Sequence, residues 1–258
     1  MITKQLKGNI HHSVSQWCYD DIPLDEFTET CKNIGIESVE LLFEKDWAKV
    51  SKAGLKCAVG YATDWGIPVG FNRIANHDKL ISDFNHMIPK AAEAGVPNLI
   101  CFSGNSESQN DNEGLINCAK GLLKIIPTAE KYGVTIIMEL LNLHDHPDYQ
   151  CHSTSWGSVL CEMVGSDNFK LLYDIYHMQI MEGNIINNIK KYYQYIGHYH
   201  TGGVPGRNEP DDSQELNYPA IMKAIVKTGY KGFVGQEFIP SKGDKLKSLK
   251  NSILICDV

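Results

Sequence analysis

The sequence predicts an α/β protein built as a single (β/α)8 barrel, and three observations lead to this fold class. An amphipathic segment, a glycine and a short apolar run recur in that order, as in "AAEAGVPNLICFSG" and "AEKYGVTIIMELL". The apolar runs, such as "VTIIM" and "FKLLY", are apolar on consecutive positions, which is typical of parallel strands buried on both faces. Eight such runs alternate with helical patterns, and eight parallel strands close most simply into a barrel.

The elements follow from local patterns along the chain. We predict a helix with proline in its first turn where Pro23 is followed by "LDEFTETCKNIG". Apolar residues at helical spacing predict further helices, one through Leu80 and Ile88 and another through Leu115 and Ile126. A glycine just past a helix provides the left-handed residue that ends it. The predicted strands lie near residues 9–17, 36–42, 57–62, 98–103, 135–140, 170–175, 197–202 and 232–238.

Two neighbouring units resemble copies of one another. "IPKAAEAGVPNLICF" (88–102) and "IPTAEKYGVTIIMEL" (126–140) align at Ile-Pro, at an alanine and at Gly-Val. A repeat of this length indicates stacked supersecondary units. A doubly wound open sheet is the alternative, but the first strand–helix turn lacks a G-x-G-x-x-G phosphate loop. We expect residues 1–258 to form one domain, since single barrels of about 250 residues are common.

The composition of the chain limits the kinds of molecule that the protein is expected to bind. The chain has 258 residues, of which 43% are hydrophobic and 21% charged, and its net charge is −7. That charge disfavours a nucleic-acid or membrane partner. "MITKQLKGNIHHS" lacks the apolar stretch of a signal peptide, and no segment approaches the roughly 20 apolar residues of a membrane span. Eight scattered cysteines without a C-x-x-C pair indicate reduced core thiols of a cytoplasmic protein, and the sequence allows a homo-oligomer.

Polar side chains stand at the ends of four successive predicted strands. Glu139 ends "IIMELLN", Asp174 ends "KLLYD", His200 lies in "GHYHTGG" and Glu237 lies in "FVGQEFIP". Each alone suits a rim residue, a helix cap or a core histidine. Together in one barrel mouth, however, three carboxylates would repel one another unless a cation neutralised them. Carboxylates with one imidazole suit Mn²⁺ or Mg²⁺ better than a closed zinc site, so we expect one such ion here.

Longer motifs surround these residues. They are "MELLN" (138–142), "LLYDIYHMQIMEGN" (171–184), "GHYHTGGVPGRNEP" (197–210), "ELNY" (215–218) and "GQEF" (235–238). With them the chain resembles the xylose-isomerase-like TIM-barrel superfamily over nearly its whole length, and most closely the hydroxypyruvate isomerase family. The resemblance implies a small-molecule substrate, substrate contacts from His177 and Arg207, and one metal ion held by Glu139, Asp174, His200 and Glu237.

One position departs from that family. Hydroxypyruvate isomerases often carry glutamine where this chain has His200, whereas the related ketose 3-epimerases carry histidine. The flanking "VPGRNEP" and "ELNY" favour the isomerase. The resemblance therefore implies a hydroxypyruvate isomerase first, with a ketose 3-epimerase as the alternative.

The residues also suit an isomerase on chemical grounds. Interconverting an α-hydroxy aldehyde and an α-hydroxy ketone moves a proton from one carbon to its neighbour. A metal ion polarises the carbonyl and stabilises the enediolate, while Glu139 and Glu237 are the candidate acid and base. Arg207 can bind a carboxylate bidentately, which hydroxypyruvate has and a plain sugar lacks.

Two other functional classes are also compatible with this fold. An endonuclease-IV-like enzyme of the same fold would need more histidines for several zinc ions and a basic face, which the charge of −7 disfavours. A non-catalytic barrel would bind a sugar or a metal without turnover. There is no G-x-S-x-G or H-E-x-x-H motif to support a serine hydrolase or a zincin.

Overall fold

The computed structural model describes residues 6–258 and contains a closed barrel of parallel strands. The strand order is β2-β1-β8-β7-β6-β5-β4-β3. The two ends of this order also meet, because the amide of Leu41 donates to Val59 O (2.8 Å) and that of Tyr61 to Leu42 O (3.0 Å). The strands are β1 (His11–Ser15), β2 (Ser38–Glu40), β3 (Val59–Tyr61), β4 (Asn98–Cys101), β5 (Thr135–Glu139), β6 (Phe169–Asp174), β7 (Ile196–Thr201) and β8 (Phe233–Gln236).

Helices connect the strands and cover the outside of the barrel. The α-helices are α1 (Leu24–Ile34), α2 (Glu44–Lys52), α3 (His77–Ala94), α4 (Asp111–Leu122), α5 (Ile126–Tyr132), α6 (Thr154–Val164), α7 (Ile175–Met181), α8 (Ile185–Tyr192), α9 (Tyr218–Lys227) and α10 (Lys245–Cys256). Short 3-10 turns lie at Gln16–Tyr19, Ile74–Asn76 and Tyr193–Tyr195. Among residues 6–258, none of the helices has the length and apolar character needed to cross a bilayer.

The predicted fold class is confirmed, and each predicted strand overlaps an observed one. The closed strand order rules out the open doubly wound sheet. The first residues of the predicted N-terminal segment, 1–5, lie outside the described residues. The eight cysteines are buried free thiols, as their positions in apolar runs predicted.

One predicted helix is two helices in the structure. The apolar pattern through Leu115 and Ile126 continues unbroken, but α4 ends at Leu122 and α5 begins at Ile126. Pro127 is in the first turn of α5. Proline has no amide hydrogen to continue the preceding helix, whereas at a helix start that hydrogen has no partner in any case. The prediction of a single helix was therefore wrong at this proline.

The two aligned units do end alike, but they use their prolines differently. Gly95 ends α3 with φ 72° and Gly133 ends α5 with φ 67°, a left-handed conformation in which glycine has no Cβ to clash. Pro89 lies inside α3, whereas Pro127 starts α5. The repeated sequence thus specifies how a helix passes into a strand, while the preceding turns differ.

Side chains fill the barrel from within. Ile136 and Met138 belong to the large core between the strands and the helices, whereas Ile137 belongs to a separate cluster. The members of that cluster come from β2 to β6 or adjoin them, which places them inside the barrel. They are Leu41, Ala58, Val59, Ile100, Ile137 and Leu172. Ile137 and Leu172 stand two residues before Glu139 and Asp174 on the same strands, so this apolar layer lies next to the polar groups of the barrel mouth.

We predict that Ile137→Ala destabilises the protein by about 2–5 kcal/mol, because it opens a cavity in a layer that is closed by strands on every side. The change should appear as a lower urea midpoint with an unchanged slope. The matched control is Ile116→Ala on α4, where the side chain is 45% exposed and the loss should be far smaller. Equal losses at the two positions would show that the interior layer is not closely packed.

Candidate active site and metal centre

The four residues predicted as metal ligands meet at one end of the barrel. Glu139 and Asp174 are the last residues of β5 and β6, His200 is the penultimate residue of β7, and Glu237 directly follows β8. All four are buried, and one ligand atom from each lies within 4.8 Å of the others. Because parallel strands end at the same face of a barrel, residues separated by almost 100 positions converge here.

The backbone determines which oxygen of Asp174 faces the cluster. Asp174 caps α7, since its Oδ1 accepts hydrogen bonds from the amides of Tyr176 (2.8 Å) and His177 (3.4 Å). Its Oδ2 remains directed at the cluster and lies 3.2 Å from Arg207 Nη2. The same side chain is therefore both a helix cap and a candidate ligand.

His200 stands between two sets of carboxylates. Its Nε2 lies 2.7 Å from Glu40 Oε1. On the other side of the ring, Nδ1 lies 2.8 Å from Glu237 Oε2 and 3.5 Å from Glu139 Oε1, without a well-directed hydrogen bond to either. Burial lowers the pKa of His200, but the surrounding carboxylates outweigh it and raise that pKa well above its usual range.

Arg207 supplies the second positive charge of the cluster. Its Nη2 lies 2.6 Å from Glu237 Oε2 and 3.2 Å from Asp174 Oδ2, and its Nε donates to Glu237 O (3.3 Å). The guanidinium also lies over the rings of Trp17 (5.4 Å) and Tyr176 (5.2 Å), a cation–π geometry. Arg207 therefore neutralises the acidic cluster as well as lining the cavity above it.

The loop that holds Arg207 is tied to the barrel by the residues of the quoted motifs. The hydroxyl of Tyr218, from "ELNY", bonds both the amide (2.8 Å) and the carbonyl (2.7 Å) of Gly202. The amide of Ile239 donates to Arg207 O (2.7 Å). Glu209, from "RNEP", accepts the amide (3.0 Å) and the hydroxyl (2.7 Å) of Ser241. These bonds explain why the motifs surround Arg207 in sequence.

The buried carboxylates differ in their proton affinity. Burial raises the pKa of Glu139, and the charge of Glu237 adds to the rise. Burial also raises the pKa of Asp174 to about 7, against the opposing charge of Arg207. Glu237 is equally buried, but the charges of His200 and Arg207 and a 2.7 Å hydrogen bond from Trp17 lower its pKa well below the usual range. Glu139 and Glu237 are thus shifted in opposite directions.

His177 is fully buried next to Asp174. Its Nδ1 accepts the amide of Asn142 (3.2 Å) and lies 2.7 Å from Asn142 Nδ2. Two donors at Nδ1 place the ring proton on Nε2, which lies 3.7 Å from Asp174 Oδ2 and has no hydrogen-bond partner. Burial, with the charge of Arg207 second, lowers the pKa of His177, so the ring is neutral.

A cavity of about 660 Å³ opens above the cluster. Glu139, Glu237 and Arg207 line it, and its other polar lining residues are Gln16, Lys45, Asp46, Thr63, Asp64 and His146. Aromatic side chains line much of the remainder, and Phe43 and Tyr61 stack with ring centroids 4.8 Å apart. The aromatic lining residues are Trp17, Phe43, Tyr61, Trp65 and Phe102.

The donor set fits a divalent cation. Glu139 Oε1 and His200 Nδ1 are buried and lack hydrogen-bond partners, which costs free energy unless a further group binds there. Three carboxylates and one imidazole are the ligands that Mn²⁺ and Mg²⁺ accept, whereas zinc favours Cys and His. The structure thus brings together the four side chains that the sequence nominated, with the geometry of a candidate metal centre.

Sequence reasoning missed Glu40 and Trp17. Glu40 ends β2 as Glu139 ends β5, and "VELL" at 39–42 repeats the pattern of "MELL" at 138–141, so a signal was present. Trp17 lies in the 3-10 turn after β1, and its indole donates to Glu237 Oε1. No sequence pattern pointed to Trp17, because only the closed barrel brings β1 beside β8.

Comparisons with known proteins agree with this architecture. The family model of the xylose isomerase-like TIM barrel matches residues 19–253. A crystal structure titled AP endonuclease, family 2, from Brucella melitensis superposes with a TM-score of 0.83 at 21% identity, covering 93% of this chain and 97% of that one. At this identity the likeness establishes the fold alone.

Two protein relatives share more sequence over a shorter span. The 2-oxo-tetronate isomerase of Cupriavidus necator is 39% identical over 115 residues, which are 45% of this chain and 44% of that protein. A human protein named putative hydroxypyruvate isomerase is 39% identical over 103 residues, which are 40% of this chain and 37% of that one. The matched segments therefore span less than half the length of these relatives.

We predict that Arg207→Met destabilises the metal-free protein by about 3–5 kcal/mol, because it leaves Asp174 and Glu237 buried without their cation. Denaturant unfolding after dialysis against a chelator would measure the loss. The control is Arg73→Met, which removes an arginine paired with the exposed Glu107 (3.4 Å) and should cost about 1 kcal/mol or less. If both variants were as stable as the parent, Arg207 would not be neutralising the cluster.

Proposed function

The chain belongs to the xylose isomerase-like TIM barrel family, and on that basis we propose that it is a metal-dependent isomerase of small hydroxy-oxo acids. The proposed reaction interconverts hydroxypyruvate and tartronate semialdehyde. The observation that supports it best is the pair Glu139 and Glu237, two buried carboxyl groups that face one cavity beside the other two candidate ligands, Asp174 and His200. Such a pair can provide a proton acceptor and a proton donor to one bound substrate.

The proposed ligands of the metal are Glu139, Asp174, His200 and Glu237, with Mn²⁺ or Mg²⁺ as the ion. When bound, a divalent ion polarises the substrate carbonyl and stabilises negative charge on the substrate oxygens. The buried, unpartnered atoms Glu139 Oε1 and His200 Nδ1 support this assignment.

The side chains divide the proton transfers between them. Glu237, whose pKa is lowered, is the base that removes the proton from the carbon bearing the hydroxyl group. Glu139, the second carboxyl group that lines the cavity, supplies a proton to the neighbouring carbon. His177 does not line the cavity and directs Nε2–H toward Asp174, so we propose that it orients the Asp174 carboxylate. The proton taken by Glu237 from one carbon is matched by the proton that Glu139 gives to the next, and the hydroxyl proton passes from one substrate oxygen to the other. Exchange of both carboxyl groups with solvent then restores Glu237 as the carboxylate and Glu139 as the acid, so atoms and charge balance over the cycle.

Arg207 is the proposed contact for the substrate carboxylate. The hydrogen bonds that it makes within residues 6–258 use Nε and Nη2, which leaves the Nη1 hydrogens for a ligand in the cavity. A charge-assisted hydrogen bond at a buried site favours an acid over a neutral polyol. Two relatives with names of 2-oxo-acid isomerases are consistent with this choice.

A ketose 3-epimerase is the second candidate, and the cavity favours it. A volume of about 660 Å³ exceeds the needs of a three-carbon acid, and its aromatic lining suits the C–H faces of a longer sugar. The same two glutamates would remove and return a proton at a single carbon. The presence of His200, which the epimerases carry, supports the same alternative.

We predict that Asp174→Ala weakens Mn²⁺ binding about 10–100-fold, the scale on which residues around a metal act. Titration calorimetry on chelator-treated protein measures it. Asp244→Ala is the matched control, because Asp244 also caps a helix, accepting the Lys247 amide (2.9 Å) at the start of α10. Parent-like Mn²⁺ affinity in Asp174→Ala would remove this residue from the proposed site.

The proposed activity is tested with a substrate panel in D₂O with Mn²⁺ present. We expect turnover of hydroxypyruvate, and solvent deuterium on a product carbon, because a proton held on a carboxylate exchanges with solvent. Arg207→Lys, which keeps the charge but loses the planar fork, should lower kcat/KM for the acid about 10-fold or more. Rapid turnover of ketohexoses without any of hydroxypyruvate would instead identify an epimerase.

A further inference from the structure

Two histidines share one buried carboxylate beneath the candidate metal centre. Glu40 Oε1 lies 2.7 Å from His200 Nε2 and 3.0 Å from His198 Nε2, and all three side chains are fully buried. One carboxylate oxygen has two lone pairs and can accept both N–H groups. Glu40 stands on β2 and the histidines on β7, so the contact crosses the barrel interior.

We infer that Glu40 is a positioning residue that keeps a proton on His200 Nε2 and thereby presents Nδ1 as the metal-binding atom. The inference rests on the proposed metal site. If the proton of a neutral His200 were on Nδ1, the Nε2 lone pair would face a carboxylate oxygen at 2.7 Å, and two acceptors would repel. Without a metal ion Nδ1 also faces carboxylate oxygens, Glu237 Oε2 at 2.8 Å and Glu139 Oε1 at 3.5 Å, so both ring nitrogens carry protons. A metal ion bound there would displace the Nδ1 proton and leave the Nε2 proton held by Glu40.

The surrounding structure makes room for this contact. Gly235 on β8 lies against it, and a Cβ there would collide with Glu40 Oε1 and lie 2.9 Å from His200 Cδ2. Three strands, β2, β7 and β8, therefore cooperate in placing one carboxylate against one imidazole.

His198 is the second donor and holds the shared oxygen in place. Its ring meets the His200 ring edge-on, with centroids 5.1 Å apart and planes at 89°. Because His198 and His200 are two residues apart on β7, both side chains face the barrel interior. A carboxylate hydrogen-bonded to the far nitrogen of a ligand histidine orients the ring and raises its basicity as a ligand.

The first experiment observes the proton itself and needs no metal. In chelator-treated protein labelled with ¹⁵N-histidine, the His200 Nε2–H signal should be present in the parent. In Glu40→Met, a substitution of similar length without an acceptor, this signal should lose its hydrogen-bonded chemical shift, whereas the Nδ1–H signal beside Glu237 (2.8 Å) should persist. Glu40→Gln keeps an acceptor oxygen and should retain the hydrogen-bonded Nε2–H shift.

The second experiment measures Mn²⁺ affinity by calorimetry in the same variants. We expect a loss of about 10–100-fold in Glu40→Met and a smaller loss in Glu40→Gln, which keeps the acceptor but not the charge. The control is Glu182→Gln, since Glu182 accepts the amide (2.7 Å) and the hydroxyl (2.8 Å) of Thr154, outside the cluster. That variant should bind Mn²⁺ as the parent does.

The two experiments separate this inference from the proposed function. If the parent fails to bind Mn²⁺ yet the Nε2–H signal loses its hydrogen-bonded shift in Glu40→Met, the metal site is wrong and the role of Glu40 in holding the Nε2 proton stands. If the parent binds Mn²⁺ and both Glu40 variants bind it equally well, the inference is overturned while the metal site stands. If Glu40→Met does not fold, unchanged affinity in Glu40→Gln has the same meaning.

Discussion

The site depends on keeping several acidic side chains close together inside a barrel. Glu139, Asp174 and Glu237 are buried within one cluster, and Glu40 lies directly behind it. In an interior of low dielectric constant these negative charges repel one another strongly, so each carboxylate needs a nearby cation or a proton. Arg207 and His200 supply positive charge, and burial raises the pKa of Glu139 and Asp174, which favours a proton on these carboxyl groups when no ion is bound. A divalent ion would satisfy the same requirement.

The strand ends and the loop after β7 together keep these acidic side chains close to one another and to positive charge. Strands β5 to β8 end at one face, where each places one acidic or imidazole group, while the apolar layer around Ile137 fills the barrel interior. The loop after β7 brings Arg207 back over the cluster and is anchored by the Tyr218 hydroxyl. Stability and the proposed chemistry are therefore linked, because the group that neutralises the carboxylates also lines the cavity.

The environment of each carboxylate determines what it can do. Glu139 and Glu237 are the same residue type at equivalent strand ends, yet only Glu237 receives both the Trp17 indole and the Arg207 guanidinium. In the metal-free site, that difference contributes to a raised pKa of Glu139 and a lowered pKa of Glu237. The proposed acid and base are thus distinguished by their neighbours rather than by their own chemistry, as in other enzymes with two carboxylates.

The sequence by itself determined the barrel, its eight strands and the four polar strand ends, because strand and helix periodicity and the residue after a strand are local properties. It did not show that Pro127 divides a continuous apolar pattern into two helices. Only the tertiary structure showed that Arg207 binds Asp174 and Glu237, and that Glu40 supports His200 from across the barrel. Those contacts join residues 30 to 160 positions apart, and their distances and pKa shifts depend on closure of the barrel, which no local pattern encodes.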